Sequence, residues 1–126
     1  MKIYNKSPIL VLFDIVKTLT SIPIYKEVMT EDENSTPNSY ILLRSGIVDN
    51  GKIYGDGITS VRNCECDIIL ISKGSHPNTS DLHNTNSALI VNKLKESNVP
   101  YSFVSIGYNE SSNTTTSTWT VNIKYI

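Results

Sequence analysis

From Thr118 to Tyr125 the chain alternates without a fault, with Trp119, Val121, Ile123 and Tyr125 in one set and Thr118, Thr120, Asn122 and Lys124 in the other. A period of two puts the sets on opposite faces of a β-strand. A strand with one apolar face needs neighbours along its edges and a cover over that face. The rest of the chain has to supply both.

Two segments have the spacing of a cover. Ser7-Pro8 is an N-cap candidate followed by proline at the first helical position, where its missing N–H costs nothing. Ile9, Leu12, Phe13, Val16 and Leu19 then recur at three and four residues, predicting an amphipathic helix over Pro8 to Thr20 that Pro23 closes. A second helix is predicted over Ser80 to Glu96, with Asp81 in its positive first turn and Lys93 and Lys95 near its end. Its apolar stripe, Leu82, Leu89, Ile90 and Leu94, is narrow. His83 on this helix and His76 in the loop before it are expected to face water.

Strands are predicted at Ile24 to Met29, Ser39 to Ser45, Val61 to Ser72 and Tyr101 to Tyr108. The apolar run Ile68 to Ile71 marks a central strand covered on both faces. Alternation over Tyr101 to Tyr108 sets Phe103 and Ser105 opposite Val104 and Ile106. Thr30 to Asn38 and Asn109 to Ser117 contain no hydrophobic residue and read as exposed loops. Gly46 to Ser60 carries four glycines and an Asn50-Gly51 pair, the signature of a hairpin with a type I′ turn. Helix, strands, helix, strands make an α+β domain: a mostly antiparallel sheet with two helices packed on one face, plus a projecting β-hairpin.

Composition limits the function classes. The chain has 126 residues and 11 basic against 12 acidic side chains, enough for one core and without the charge excess that bulk nucleic-acid binding requires. Asn, Ser and Thr supply 41 residues while charged residues reach 18%, so polarity rests on uncharged side chains suited to turns, strand surfaces and protein contacts. No apolar run approaches the roughly 20 residues of a membrane span, and Ile9 to Phe13 is too short for a signal h-region. Two cysteines one residue apart do not make a disulfide framework, which fits a reducing, cytosolic setting.

The groups able to carry chemistry do not gather. Cys64 and Cys66 in an extended strand share a face about 6.6 Å apart, whereas two thiolates on one zinc sit under about 4 Å apart. They read as small apolar residues in line with Ile68 and Leu70. Glu65 and Asp67, with Asp56 or Asp49, could form a metal-dependent nuclease site, but no matching lysine or basic cradle accompanies them. Gly51, Gly55 and Gly57 lie between strands, outside the strand-to-helix setting of a phosphate loop. Glu31-Asp32-Glu33 lacks calcium-loop spacing. The expectation is no catalytic residue, no metal and no cofactor. What stands out is the hairpin with Ile47, Val48, Ile53 and Tyr54, apolar residues on an element too long for the core, expected to be covered by another chain.

This layout resembles the tail-terminator, or tail-completion, proteins of long-tailed bacteriophages, also called head-tail joining proteins. The likeness runs from about residue 7 to the end, through the Pro-bounded first helix, Ile24 to Met29, Pro37 leading into Tyr40-Ile41-Leu42-Leu43, the Gly-rich hairpin, Val61 to Ser72, Ser80 to Glu96 and two closing strands. It implies a structural subunit without enzyme activity, forming a closed ring, typically a hexamer, in the virion tail or neck. Such a ring ends the tail tube, meets the head-connector proteins and passes DNA through its lumen without specific binding. The alternative is a small cytosolic enzyme or binding module, nuclease-like, whose site has no recognisable motif. Oligomeric state separates the two.

Overall fold

The computed structural model describes residues 3–27, 38–49, 61–74 and 81–126. In chain order these form β1 (Ile3–Tyr4), α1 (Pro8–Val16), β2 (Ile24–Lys26), β3 (Ser39–Asp49), β4 (Arg62–Lys73), α2 (Asp81–Ser97), β5 (Tyr101–Asn109) and β6 (Thr114–Tyr125). The strands make one sheet in the order β1, β6, β4, β3, β2, with β5 sharing the outer edge of β6 with β1. The fold is α+β, as expected, but the sheet is mixed. The long pairings β3–β4, β4–β6 and β5–β6 are antiparallel, while the short flanking pairs β1–β6 and β2–β3 are parallel. The cause is the connection. The chain leaves β1 at one edge, crosses in α1 and enters β2 at the other edge, and one crossing helix returns it to its original direction.

Pro8 stands at the start of α1 and Ser7 at its N-cap, although the Ser7 side chain makes no capping bond. The helix ends at Val16, earlier than the periodicity predicts. Two tight turns, Leu19 N–H to Val16 C=O and Ile22 N–H to Leu19 C=O, then carry Leu19 and Ile22 into the core ahead of Pro23. The apolar spacing that reads as a longer helix is real, but its last members are buried from turns.

Cys64, Cys66, Ile68 and Leu70 of β4 share one face with Ile41 and Leu43 of β3 and with Trp119, Val121 and Ile123 of β6. Val11, Leu12 and Val16 of α1 and Ile90 and Leu94 of α2 complete the core against that face. The alternation in β6 therefore points inward on the expected side. β4 is central, between β3 and β6, but it is not covered equally: Ile68 and Leu70 are fully buried while Ile69 and Ile71 are half-buried on the far face.

Three further expectations need correction. The segment Asn109 to Ser117 is a four-residue turn, 110–113, followed by β6 from Thr114. Asn109 Oδ1 accepts from the Ser111 and Ser112 N–H groups at 2.9 and 3.3 Å, and Asn113 takes a left-handed φ of 52° that Asn tolerates well. A lack of apolar residues concealed the strand because its inward side chains, Thr115 and Ser117, are buried polar ones. On α2 the buried stripe is His83, Asn86, Ile90 and Leu94, and Leu82 is 50% exposed. β3 continues past Ser45 to Asp49 through a bulge between Ser45 and Val48, so the hairpin stem exists. Its tip, including Asn50-Gly51, Ile53 and Tyr54, lies outside the described residues.

Candidate interaction surface

β5 is the strand least covered by the rest of the chain. Every residue of β5 after Tyr101 is exposed, including Phe103 at 53%, Val104 at 57% and Ile106 at 46%. Side-chain direction follows from the register. Phe103 lies opposite Trp119, Ile106 opposite Ser117 and Tyr108 opposite Thr115, all on the helix side, whereas Ser102, Ser105 and Gly107 lie opposite Thr120, Thr118 and Thr116 on the far side. A bulge between Phe103 and Ser105 inserts Val104 and shifts the alternation by one. Phe103 and Ile106 thus share a face, contrary to the strict alternation read from the sequence. The sequence does not show the break, because Val104, Ile106 and Tyr108 are spaced two apart, as in an unbroken strand.

The result is an apolar overhang beside the core. Phe103 rests on Trp119 with ring centroids 5.6 Å apart and planes tilted by 58°. From Tyr101 to Asn109 the strand carries no charged side chain. Edge strands usually carry charge or proline that discourages pairing with another chain; here the bulge alone has that effect.

The reactive groups stay apart. Cys64 and Cys66 are fully buried with their Sγ atoms 3.4 Å apart, closer than an ideal strand spacing allows because the side chains lean together. Burial, with Cys64 alongside, pushes the Cys66 thiol pKa far up. His83 is fully buried toward the other end of β4, against Ser72, so the expectation that it faces water is overturned. His76, Asp56 and Glu31 to Glu33 lie outside the described residues. Asp67 accepts from Thr120 Oγ1 at 3.1 Å and lies opposite Arg44 in the register, the cross-strand partners of an ordinary sheet face. Among the described residues no three His, Cys, Asp or Glu side chains group as metal ligands. Of the four expected interface residues, Ile47 and Val48 are placed by backbone at the far end of β3, and Ile53 and Tyr54 are outside the described residues.

A cleft of about 830 Å³ opens between β1, α1 and α2, with Tyr4, Lys6, Asp14, Lys93 and Glu96 in its walls. Lys6 and Lys17 both pair with Asp14, and their hydrogen bonds hold its carboxyl below the usual carboxylate range. Lys93 pairs with Glu96 at 3.3 Å. Each wall cation therefore already has a carboxylate, leaving no net charge to attract an ionic ligand. Compared with known proteins, the chain matches no family model and no curated sequence.

Proposed function

We propose that this protein is a structural subunit that assembles with copies of itself into a closed ring of the phage tail-terminator type. Its place is the virion tail or neck, between the tail tube protein and the head-connector proteins, with DNA passing through the lumen. The observation carrying this reading is the overhang on β5, a charge-free edge strand with Phe103, Val104 and Ile106 in solvent. Exposed apolar side chains clustered on one edge mark a protein contact. A ring subunit needs two different surfaces, since a head-to-tail contact joins unlike patches. β5 is one, and the hairpin with Ile47, Val48, Ile53 and Tyr54 is the proposed other. The resemblance to that family rests on the order of first helix, short strand, two long strands, second helix and two closing strands. A near-neutral charge balance suits a ring that lets DNA through without holding it.

Mass measurement in solution together with negative-stain imaging tests the proposal. Discrete rings, alone or on addition of a tail tube, are expected. A particle that stays monomeric at all concentrations and beside tube protein, with turnover of a substrate, would overturn it.

A further inference from the structure

Cys64 and Cys66 are fully buried in the central strand β4, and their Sγ atoms lie 3.4 Å apart. Alternate residues of a strand stand about 6.6 Å apart along the backbone, so the two side chains lean toward each other. A disulfide spans Cα atoms about 4.4–6.8 Å apart and is commonest at about 5.5–6 Å. The pair is therefore within reach of a bridge, at the long limit of that range. Closing the bridge draws the two Cα atoms together and shortens β4 between them.

The strands on either side of this point are unequal. β6 runs past it in unbroken register, with Val121 opposite Cys66 and Ile123 opposite Cys64. β3 passes it through the bulge, with Ser45 opposite Cys66 and Val48 opposite Cys64, so that Gly46 and Ile47 stand against Glu65 alone. Gly46 is already pressed onto that residue, since a Cβ there would come within 2.1 Å of the Glu65 carbonyl oxygen. The peptide that must move when β4 shortens is the one against which β3 has no slack. β3 yields before β6, because its ladder is interrupted here and ends soon after, at Asp49.

We propose that Cys64 and Cys66 form a reversible disulfide that holds the far end of the β3–β4 pairing, Ser45 to Asp49, open while the rest of the core stays packed. The oxidant is a small disulfide such as oxidised glutathione. One cysteine, as thiolate, attacks it and releases one reduced glutathione; the other cysteine then attacks the cysteine sulfur of the mixed disulfide and releases the second. Two electrons and both thiol protons end on the two glutathione thiols. The closed sheet hides both cysteines, so the reaction runs through molecules in which this end of the pairing has opened locally. The bridge forms slowly for that reason and, once formed, blocks reclosure. A bridge at the long limit of its range is more easily reduced, and excess reduced glutathione reverses it.

Incubating the whole protein with oxidised glutathione under native conditions, then quenching in acid, unfolding and alkylating, tests this by mass. Over hours, the timescale of uncatalysed disulfide exchange, molecules should pass from two alkyl labels to none, and reduced glutathione should restore both labels. Amide exchange of the bridged form should show protection reduced about tenfold or more over residues 45–49 and 63–66, as a local opening allows, with residues 68–70 and 90–95 unchanged. Bridging should also outpace amide exchange at residues 68–70 in the reduced protein, which requires the centre of the sheet to open. Thiols that stay free in the folded protein while unfolded chains bridge, a mixed disulfide that accumulates, or a bridge that leaves residues 45–49 protected would each overturn the proposal. Bridging no faster than exchange at residues 68–70 would overturn it as well.

Discussion

The Phe103 ring of the exposed edge strand lies 5.6 Å from Trp119, the single tryptophan of the chain, on the helix side of the sheet. Trp119 is 2% exposed, sealed by the helices and by a ring that is itself half in water. Core and exposed apolar overhang therefore share a wall. Removing a buried Trp side chain costs about 3–5 kcal/mol, against a total stability of roughly 5–15 kcal/mol. Trp119→Ala should lower the melting temperature by many degrees. Thr120→Ala, on the opposite face, loses one half-buried hydrogen bond to Asp67, worth about 1–2 kcal/mol. Melting curves of the two variants check the ranking; an equal or larger loss at Thr120 would reverse the facing of β6.

Ile106 projects from the same side but touches solvent. Ile106→Asp should abolish self-association while changing stability by under about 1 kcal/mol, the range of surface strand substitutions. Paired sedimentation and melting measurements read both effects. Assembly that persists in this variant would remove β5 from the contact.

Gly46 sits at the bulge of β3 where a Cβ would meet the Glu65 carbonyl oxygen at 2.1 Å. That neighbour is backbone in the central strand and cannot swing aside. Gly46→Ala should destabilise the protein by about 1–3 kcal/mol, the usual cost of forcing atoms into a packed site. Denaturant unfolding measures it, and an unchanged midpoint would mean that the β3–β4 stem relaxes freely.

The two thiols should react slowly in the folded protein and rapidly after denaturation. Both are fully buried, and the Cys66 pKa is raised by burial and by Cys64 beside it, so the reactive thiolate is scarce as well as hidden. Raising the pH to 9 should not close the gap between native and denatured rates. A fast native reaction of either cysteine would place β4 at an exposed edge.

A period of two is a local property, and so the sequence alone determined the facing of Trp119, Val121 and Ile123 and the burial of Cys64 and Cys66 in line with Ile68 and Leu70. The three-and-four spacing of Leu12 and Val16 determined α1 in the same way, and both helices were legible within a few residues of their ends. Tertiary structure decided the rest. β1 and β2 are too short to show a period, and their parallel pairing follows from where α1 crosses. The bulge at Val104 moved Ile106 to the side of Phe103 and set which residues form the overhang, a choice made by pairing with β6. His83 lies among polar neighbours in sequence, where nothing local distinguishes a solvated ring from a buried one. Its burial is tolerable because Ser72, 11 residues away, and Ser117, 34 residues away, arrive at its two nitrogens. A polar side chain can be buried only where its hydrogen-bond partners meet it, and only the assembled sheet brings them there.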